Sequence, residues 1–313
     1  MSVLVLGSIN TDLVIRTPVL PVPGETVLNG EYYQAHGGKG ANQAVAAARV
    51  ANSTVSLLGA VGNDGFGQAS LEHLRSEGLD CTNVQVLPGV ATGVALIMVD
   101  HQGENSIAVA SGANLALTAA EIDALPDSVF TSHKVFVTSL ELPLRTVECG
   151  LARARALGLT TILNPAPAQR LPRNMLRLVD VLTPNEAEAQ KLVTELHSND
   201  PDSTSTQTTA YFPADELRTC GCRAVIVTLG SAGCLVLGEG TMQIAGHLVN
   251  AVDATAAGDC FNGVLAVALS EGRSLPEAVE WANAAAALSV TKRGAQTSLP
   301  RRAEIDRFIA ERR

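Results

Sequence analysis

The chain predicts an α/β protein built on a doubly wound, mostly parallel sheet flanked by helices, and three observations carry that reading. Short β-branched runs alternate with longer Ala- and Leu-rich stretches, the pattern of strand–helix–strand units. The 313 residues are 46% hydrophobic but only 3% aromatic, so a sizeable core is available and its small side chains suit helices lying close on a sheet. Several of the strand-like runs end in polar residues, as expected where such a sheet binds a ligand beyond the carboxyl ends of its strands.

In chain order, the first strand is Val3–Leu6, an apolar run of four. Residues 14–33 are strand-like but punctuated by Pro and Gly. The helix 40–50 follows a glycine pair and is rich in Ala, and the strand 54–58 and helix 67–77 complete the next unit. Residues 92–99 and Asn105–Ala110 break the alternation: two strand-like runs flank the polar turn Asp100-His101-Gln102-Gly103-Glu104 and read as an antiparallel hairpin. Together with 14–33 this hairpin forms either a small sheet over the ligand edge or an extension of the main sheet. Alternation then resumes with the strand 134–138, helix 144–157, strand Thr160–Leu163, strand 179–182, helix 185–196 and strand Ala224–Thr228. Helices 259–271, 275–288 and 302–311 close the chain. The stretch 197–209 is rich in Ser, Thr, Asn and Asp and reads as an exposed loop.

Charge and cysteine usage exclude several function classes. The net charge is −9 and Lys292, Arg293, Arg301 and Arg302 are scattered cations, so a nucleic-acid partner is not expected. Cys81, Cys149, Cys220, Cys222, Cys234 and Cys260 form no C-x-x-C pair and no zinc pattern. With no secretion signal at the start and no apolar run of spanning length, a reduced, cytoplasmic setting and no membrane partner are expected.

Five strand candidates lead into chemistry-bearing residues: Asn10 and Asp12, Glu141, Asn164, Asn185-Glu186, and Thr228 with Gly230-Ser231. Two glycine-rich helix starts stand out beside them. In Asp253-Ala254-Thr255-Ala256-Ala257-Gly258-Asp259 a small-residue turn opens a helix, where free amides and the helix dipole attract phosphate oxygens. Asp259 fits two roles there, a plain helix cap or a general base beside an anion hole. In Gly37-Gly38-Lys39-Gly40-Ala41-Asn42-Gln43-Ala44, Lys39 and Asn42 are three apart near a first turn and would face one ligand. The sequence contains no G-x-x-x-x-G-K-[ST] phosphate loop.

These two motifs resemble the signatures of the ribokinase-like carbohydrate kinases, and the likeness extends over nearly the whole chain. Gly7-Ser8-Ile9-Asn10-Thr11-Asp12, Pro23-Gly24-Glu25-Thr26, Thr92-Gly93-Val94-Ala95, Ser111-Gly112-Ala113-Asn114, Asn164-Pro165-Ala166-Pro167-Ala168, Thr183-Pro184-Asn185-Glu186 and Gly294-Ala295-Gln296 follow in the matching order. Asn10, Asp12 and the Lys39 form of the glycine motif favour the ribose-phosphorylating branch. The resemblance implies one ribokinase-like domain over 1–313, with a β-sheet lid from about 12–36 and 90–111, and a homodimer joined through lid strands. It also implies transfer of a phosphoryl group from ATP to O5 of ribose, with Asp259 as the base and the Ala256, Ala257 and Gly258 amides as the anion hole.

By the same resemblance, Asn10, Thr11, Asp12, Gly38, Lys39, Gly40, Ala41, Asn42, Glu141 and Asp259 hold the sugar. Asn185, Thr228, Leu229, Gly230, Ser231, Ala232, Gly233, Gly258, Asp259 and Asn283 hold ATP. Glu188 serves Mg2+ indirectly, and Asp253, Thr255, Ser289, Lys292, Gly294 and Ser298 surround K+, Lys292 through its carbonyl. The family's Gly-Ala-Gly-Asp appears here as Ala256-Ala257-Gly258-Asp259, and Cys260 replaces the usual threonine. Cys260 is open to two readings, an inert small residue or a thiol activated by the helix start. A sugar-binding module without turnover would lack Asp259 or the glycines, and both are present.

Overall fold

The protein is described as a computed structural model covering residues 3–197 and 210–312. Apart from His197, the Ser/Thr-rich stretch lies outside the described residues. The strands are β1 (Val3–Leu6), β2 (Asn10–Arg16), β3 (Glu31–Gly37), β4 (Val55–Gly62), β5 (Leu79–Asp80), β6 (Val84–Leu87), β7 (Gly93–Val99), β8 (Asn105–Ala110), β9 (Val135–Thr138), β10 (Thr160–Leu163), β11 (Val181–Leu182), β12 (Ala224–Thr228), β13 (Gly233–Leu237) and β14 (Thr241–Ala245).

The main sheet has the order β14-β13-β12-β11-β10-β9-β1-β4-β5, with β6 also paired to β4. From β12 through β1 to β5 every pairing is parallel, while β12-β13-β14 is antiparallel. Parallel register puts the carboxyl ends of β1, β9, β10, β11 and β12 on one edge, so all five polar strand endings meet there. The chain winds in opposite directions on the two sides of β1, where a ligand crevice forms between strands leading away from each other.

Side-chain alternation sorts the core into two faces. Val3, Val5, Leu57, Val137 and Ile162 pack beneath the helices Lys39–Val50, Ala257–Ser270 and Leu275–Ser289. Leu4, Leu6, Leu58, Phe136, Leu163 and Leu182 pack beneath Leu144–Ala156, Glu186–Leu196 and Tyr211–Thr219. On the first face, small residues let two helices nearly touch. A Cβ on Gly263 would meet the Gln43 carbonyl and lie 2.7 Å from Ala46 Cβ and 2.9 Å from Ala47 N. That crossing brings the starts of Lys39–Val50 and Ala257–Ser270 together.

The hairpin forms a separate sheet of order β3-β2-β7-β8, not an extension of the main one. Only β2 and β7 pair in parallel; β2–β3 and β7–β8 are antiparallel. The strand-like stretch 14–33 is two strands, β2 and β3, joined by a Pro- and Gly-containing connection. β4 continues four residues beyond the expected strand, because Gly59 and Gly62 sit where neighbouring backbone comes close: a Cβ on Gly59 would lie 2.8 Å from Gly7 O. The helix expected from Asp259 starts two residues earlier, at Ala257, and the strand expected over 179–182 is confined to β11. Strands β5, β6, β13 and β14 and the short helices Ala113–Ala116, Ala119–Asp123, Asp127–Thr131 and Arg173–Leu176 were not expected from periodicity. Among the described residues, no helix is long and apolar enough to cross a membrane.

Candidate active site

The site grows from the close crossing of Lys39–Val50 and Ala257–Ser270. Asp259 stands in the first turn of the second helix and is 5% exposed. Both its oxygens accept amide hydrogens from the first helix: Asn42 Nδ2 donates to Oδ2 at 3.0 Å and Gln43 Nε2 to Oδ1 at 3.1 Å. Gln43 Nε2 also reaches Asn164 Oδ1 at 3.2 Å, tying the end of β10 into the cluster. Burial pushes the Asp259 carboxyl above its ordinary value, and Lys39, Asn42 and Gln43 work against that rise. The Asp259 charge in turn holds the Lys39 ammonium above its ordinary value, against the desolvation of Lys39. A helix-capping role for Asp259 finds no side-chain cap: the N-cap position belongs to Ala256, and no side-chain cap bond is made there.

Ala256 is the one site residue with a strained backbone. Its φ of 59° and ψ of 14° are left-handed, a conformation that costs an L-residue about 1–2 kcal/mol and glycine little. The turn it makes aims the helix start outward. Ala257 N–H bonds to Ala254 O at 3.2 Å, and the next amides belong to the first helical turn, which has no intrahelical acceptor. Gly258 is exposed there.

The glycine motif is set by its contact with the end of β1. Gly38 has φ 89°, and a Cβ on it would lie 2.7 Å from Asn10 N. Gly40 lies directly against Gly7, and a Cβ on either would meet the other's backbone. Ser8 Oγ donates to Glu141 Oε2 at 2.5 Å, and Lys39 N donates to the same oxygen at 3.0 Å. Glu141 therefore ties the loop after β9 to this helix start.

Asn10 and Asp12 lie two apart on β2, on one face of the small sheet. Asn114 fixes the Asn10 amide: Asn114 Nδ2 donates to Asn10 Oδ1 at 2.7 Å, while Asn114 Oδ1 accepts from Ile9 N at 2.9 Å. The Nδ2 group is thus the end of the Asn10 amide that Asn114 leaves free of its own bond. The Asp12 carboxyl packs on Gly37, where a Cβ would collide with it. Burial, then the charges of Glu141 and Asp259, raises Asp12 to about 7. Thr11 Oγ1 is buried without a hydrogen-bond partner.

Two clefts meet at Ala254, in the turn that leads into Ala257–Ser270. One, of about 760 Å³, lies under the small sheet and is lined by Asp12, Val14, Tyr33, Asp253, Ala254 and Gly294 among others. The other, of about 310 Å³, is lined by Thr228, Gly230, Ser231, Gly233, Gly258 and Asn283, with Phe261, Ala286, Ala287 and Val290 as an apolar wall. Ala254 borders both. Leu229, Ala232 and Asn185 do not line the second cleft. Leu229 packs on the core, and Asn185 caps Glu186–Leu196 in a reciprocal box with Glu188. That box takes Glu188 Oε2 at 2.9 Å, and burial raises the Glu188 carboxyl.

Asp253 lies between the helix start and the C-terminal segment. Thr255 N donates to its Oδ1 at 2.9 Å and Gly294 N to its Oδ2 at 2.8 Å. Burial opposes ionisation of Asp253, but these hydrogen bonds prevail and hold its carboxyl below the ordinary value. Ser289 and Ser298 are fully buried beside this segment, and Lys292 Nζ points away to Glu304 at 2.8 Å. Among the described residues, no group of three His, Cys, Asp or Glu side chains could hold a metal. Cys260 is fully buried with its thiol pushed up to about 12, which favours the inert reading.

Ser8, Gln43, Asn114 and Gln296 were not singled out from the sequence as site residues. Each acts on a partner distant in the chain, and Gln43, the neighbour of Asn42, had the nearest signal.

Known proteins share this sequence pattern and fold. The model of the pfkB family of carbohydrate kinases matches residues 1–302. The chain is 41% identical to the ribokinase of Haemophilus influenzae over 306 residues, 97% of each chain. Its fold matches a crystal structure of ribokinase from Thermotoga maritima with a TM-score of 0.89 and 34% identity, covering 98% of this chain and 99% of that one. It also matches ribokinase from Arabidopsis thaliana, solved in complex with ribose and ATP, with a TM-score of 0.86 and 28% identity over 98% of each chain. A buried carboxylate at a glycine-marked helix start, on a chain matched almost end to end, leaves one assignment: the protein belongs to the pfkB family of carbohydrate kinases.

Proposed function

We propose that the chain phosphorylates D-ribose at O5 with ATP, giving ribose 5-phosphate and ADP. The observation that carries this reading is that buried Asp259 directly follows Gly258, which lines one of two clefts that share Ala254 as a border. The cleft under the small sheet takes the sugar. Asn10 offers a donor and Asp12 an acceptor, a pairing suited to adjacent hydroxyls. The apolar-walled cleft takes the nucleotide, with the strand-end turn at Thr228–Ser231 on one side and Asn283 on the other. Asp259 removes the proton from O5 as it attacks, and Asn42 and Gln43 hold the carboxylate in place. Its raised pKa brings the base nearer to neutral pH. The amides at the start of Ala257–Ser270 stabilise charge on the transferred group, the main demand of phosphoryl transfer.

Two ions belong to this reading. Asp253, held ionised and bonded to Gly294 N, offers a hard oxygen donor of the kind K+ requires. Thr255, Ser289, Lys292, Gly294 and Ser298 complete the donor set, and the bound cation would supply positive charge beside the anion hole. Mg2+ would be carried mainly by phosphate oxygens, with Glu188 acting at a distance. A cytoplasmic setting accords with the six free thiols.

The small sheet would act as a lid. Its outward face carries Ile15, Leu96 and Tyr32, 43%, 55% and 62% exposed, and a second copy of the chain would cover it. Sedimentation showing only monomers at micromolar concentrations would rule out that dimer.

The first test is ADP release with Mg-ATP on ribose, 2-deoxyribose, fructose and adenosine, in potassium or sodium. Strong potassium-stimulated turnover on ribose alone is expected, and Asp259→Asn should lower it by about two to four orders of magnitude. Preference for another sugar would overturn the roles of Asn10 and Asp12.

A further inference from the structure

A one-way chain of hydrogen bonds runs from the protein surface to the buried carboxylate. His73, half-buried on the helix Gly65–Ser76, meets Gln296 Oε1 through Nε2 at 2.8 Å. Gln296 Nε2 donates to Asn42 Oδ1 at 3.1 Å, and Asn42 Nδ2 donates to Asp259 Oδ2 at 3.0 Å. Gln296 Oε1 only accepts, so His73 must carry its proton on Nε2. Every link then donates toward Asp259.

The chain is braced at its outer end. The His36 ring stacks flat on His73, centroids 4.1 Å apart and planes 4° from parallel. Arg49 Nη1 donates to Gln296 O at 2.7 Å and to Leu299 O at 2.8 Å, and Arg49 is itself paired with Glu77 at 2.5 Å. His73 and Glu77 are four residues apart on one helix face. One face therefore fixes both the side chain and, through Arg49, the backbone carbonyl of Gln296. Gln296 and Asn42 are 4% and 6% exposed, so water does not substitute freely for either partner.

We infer that Gln296 is a positioning residue for Asp259, acting through Asn42, and that His73 orients Gln296. This rests on the proposed role of Asp259 as the base. An amide has nearly the same shape in its two orientations. Gln296 reinforces the one in which Asn42 gives its NH2 to Asp259. The reverse orientation would set Asn42 Oδ1 against Asp259 Oδ2, two acceptors face to face. Neither the sugar cleft nor the nucleotide cleft is lined by Gln296, so its influence falls on the base and not on ATP.

The test is steady-state kinetics and thermal unfolding of Gln296→Glu, Gln296→Leu, His73→Leu and His73→Gln, and of Gln296→Leu combined with Asp259→Asn. In Gln296→Glu two carboxylates compete for the Asn42 NH2. There kcat should fall about 10- to 100-fold with the ATP KM within about 2-fold, the loss expected for a hydrogen bond to a charged group. Gln296→Leu should lose about 10-fold, and His73→Leu about 3- to 10-fold. His73→Gln, which still donates, should restore near-normal kcat. In the Asp259→Asn background, Gln296→Leu should lower the residual rate no further, because the group it positions is gone. Half-buried His73 keeps the test open if a Gln296 variant fails to fold. Normal kcat in both Gln296→Leu and His73→Leu, beside an inactive Asp259→Asn, overturns this inference alone. So does an undiminished effect of Gln296→Leu in the Asp259→Asn background. Near-normal turnover in Asp259→Asn overturns the base assignment, and this inference with it.

Discussion

Gly258 separates what the fold requires from what a ligand requires. It is the second residue of the helix Ala257–Ser270, and its φ is not positive. A Cβ built on it meets nothing within 4 Å. On stability alone alanine is the better residue, by up to about 1 kcal/mol from helix propensity and the narrower unfolded ensemble. The first-turn position reduces this gain, so about 0.5 kcal/mol is a fair expectation, a rise in Tm of about 1–2 °C for a chain of this size. The methyl group would instead enter the space in front of the helix-start amides, where a phosphate oxygen approaches the backbone. An oxyanion donor held off by a methyl group loses most of its effect, about 10²- to 10³-fold in kcat. Gly258→Ala should therefore raise the unfolding midpoint slightly while turnover collapses. Differential scanning calorimetry and ADP release read the two effects on one sample. Undiminished turnover would show that no reacting oxygen sits against Gly258 and would move the anion hole elsewhere.

Ala256→Gly should also raise stability, but without harming turnover. Relief of the left-handed φ of 59° is worth about 1 kcal/mol after the entropy of glycine is subtracted, readable as a Tm increase, and an unchanged or lower Tm would refute the strain. Asn114→Asp replaces the donor on Asn10 Oδ1 by an acceptor, so Asn10 should turn its oxygen to the cleft. Ribose KM should then rise about 10- to 100-fold, with ATP KM little changed, and an unaltered ribose KM would remove Asn114 from the sugar site. With Asp12 at about 7, its ionised fraction rises about tenfold between pH 6 and pH 8, and ribose KM should fall by about that factor. The sign for stability is opposite. The folded-state pKa lies above the ordinary aspartate value of 3.8, so the native protein holds the Asp12 proton more tightly and its contribution weakens as pH rises from about 4 through about 7. A ribose KM flat across that range would refute the assignment of Asp12 as an ionised acceptor.

The main sheet was legible because periodicity is local. Val3–Leu6, Thr160–Leu163 and Ala224–Thr228 occupy the bounds their apolar runs suggest. The same rule failed where glycine interrupts a strand without ending it. Gly59 and Gly62 in β4 mark close backbone approach, which looks like a turn signal in one dimension. The edge strand β14 was missed because a sheet edge needs only one apolar face, and β14 is mostly exposed. The two helix starts were legible from their glycines, but the amides that serve Asp259 were not. Gln43 and Gln296 meet their partners across 216 and 254 residues, and no spacing rule spans such a distance.

Composition and chemistry are joined at the helix crossing. The excess of Ala and Gly reads in the sequence only as a core of small side chains. In the structure Gly263 sits one turn beyond Asp259, against the Gln43 carbonyl and Ala46. That contact sets how closely Lys39–Val50 approaches Ala257–Ser270, and so whether Asn42 and Gln43 reach the carboxylate. Elsewhere in a helix, Gly-to-Ala substitution stabilises by about 1 kcal/mol. At Gly263 the added methyl must push the helices apart, at a cost of about 1–3 kcal/mol. The displacement falls directly on the two hydrogen bonds that hold Asp259. A glycine that weakens its own helix is retained where helix separation and the position of the base are one variable.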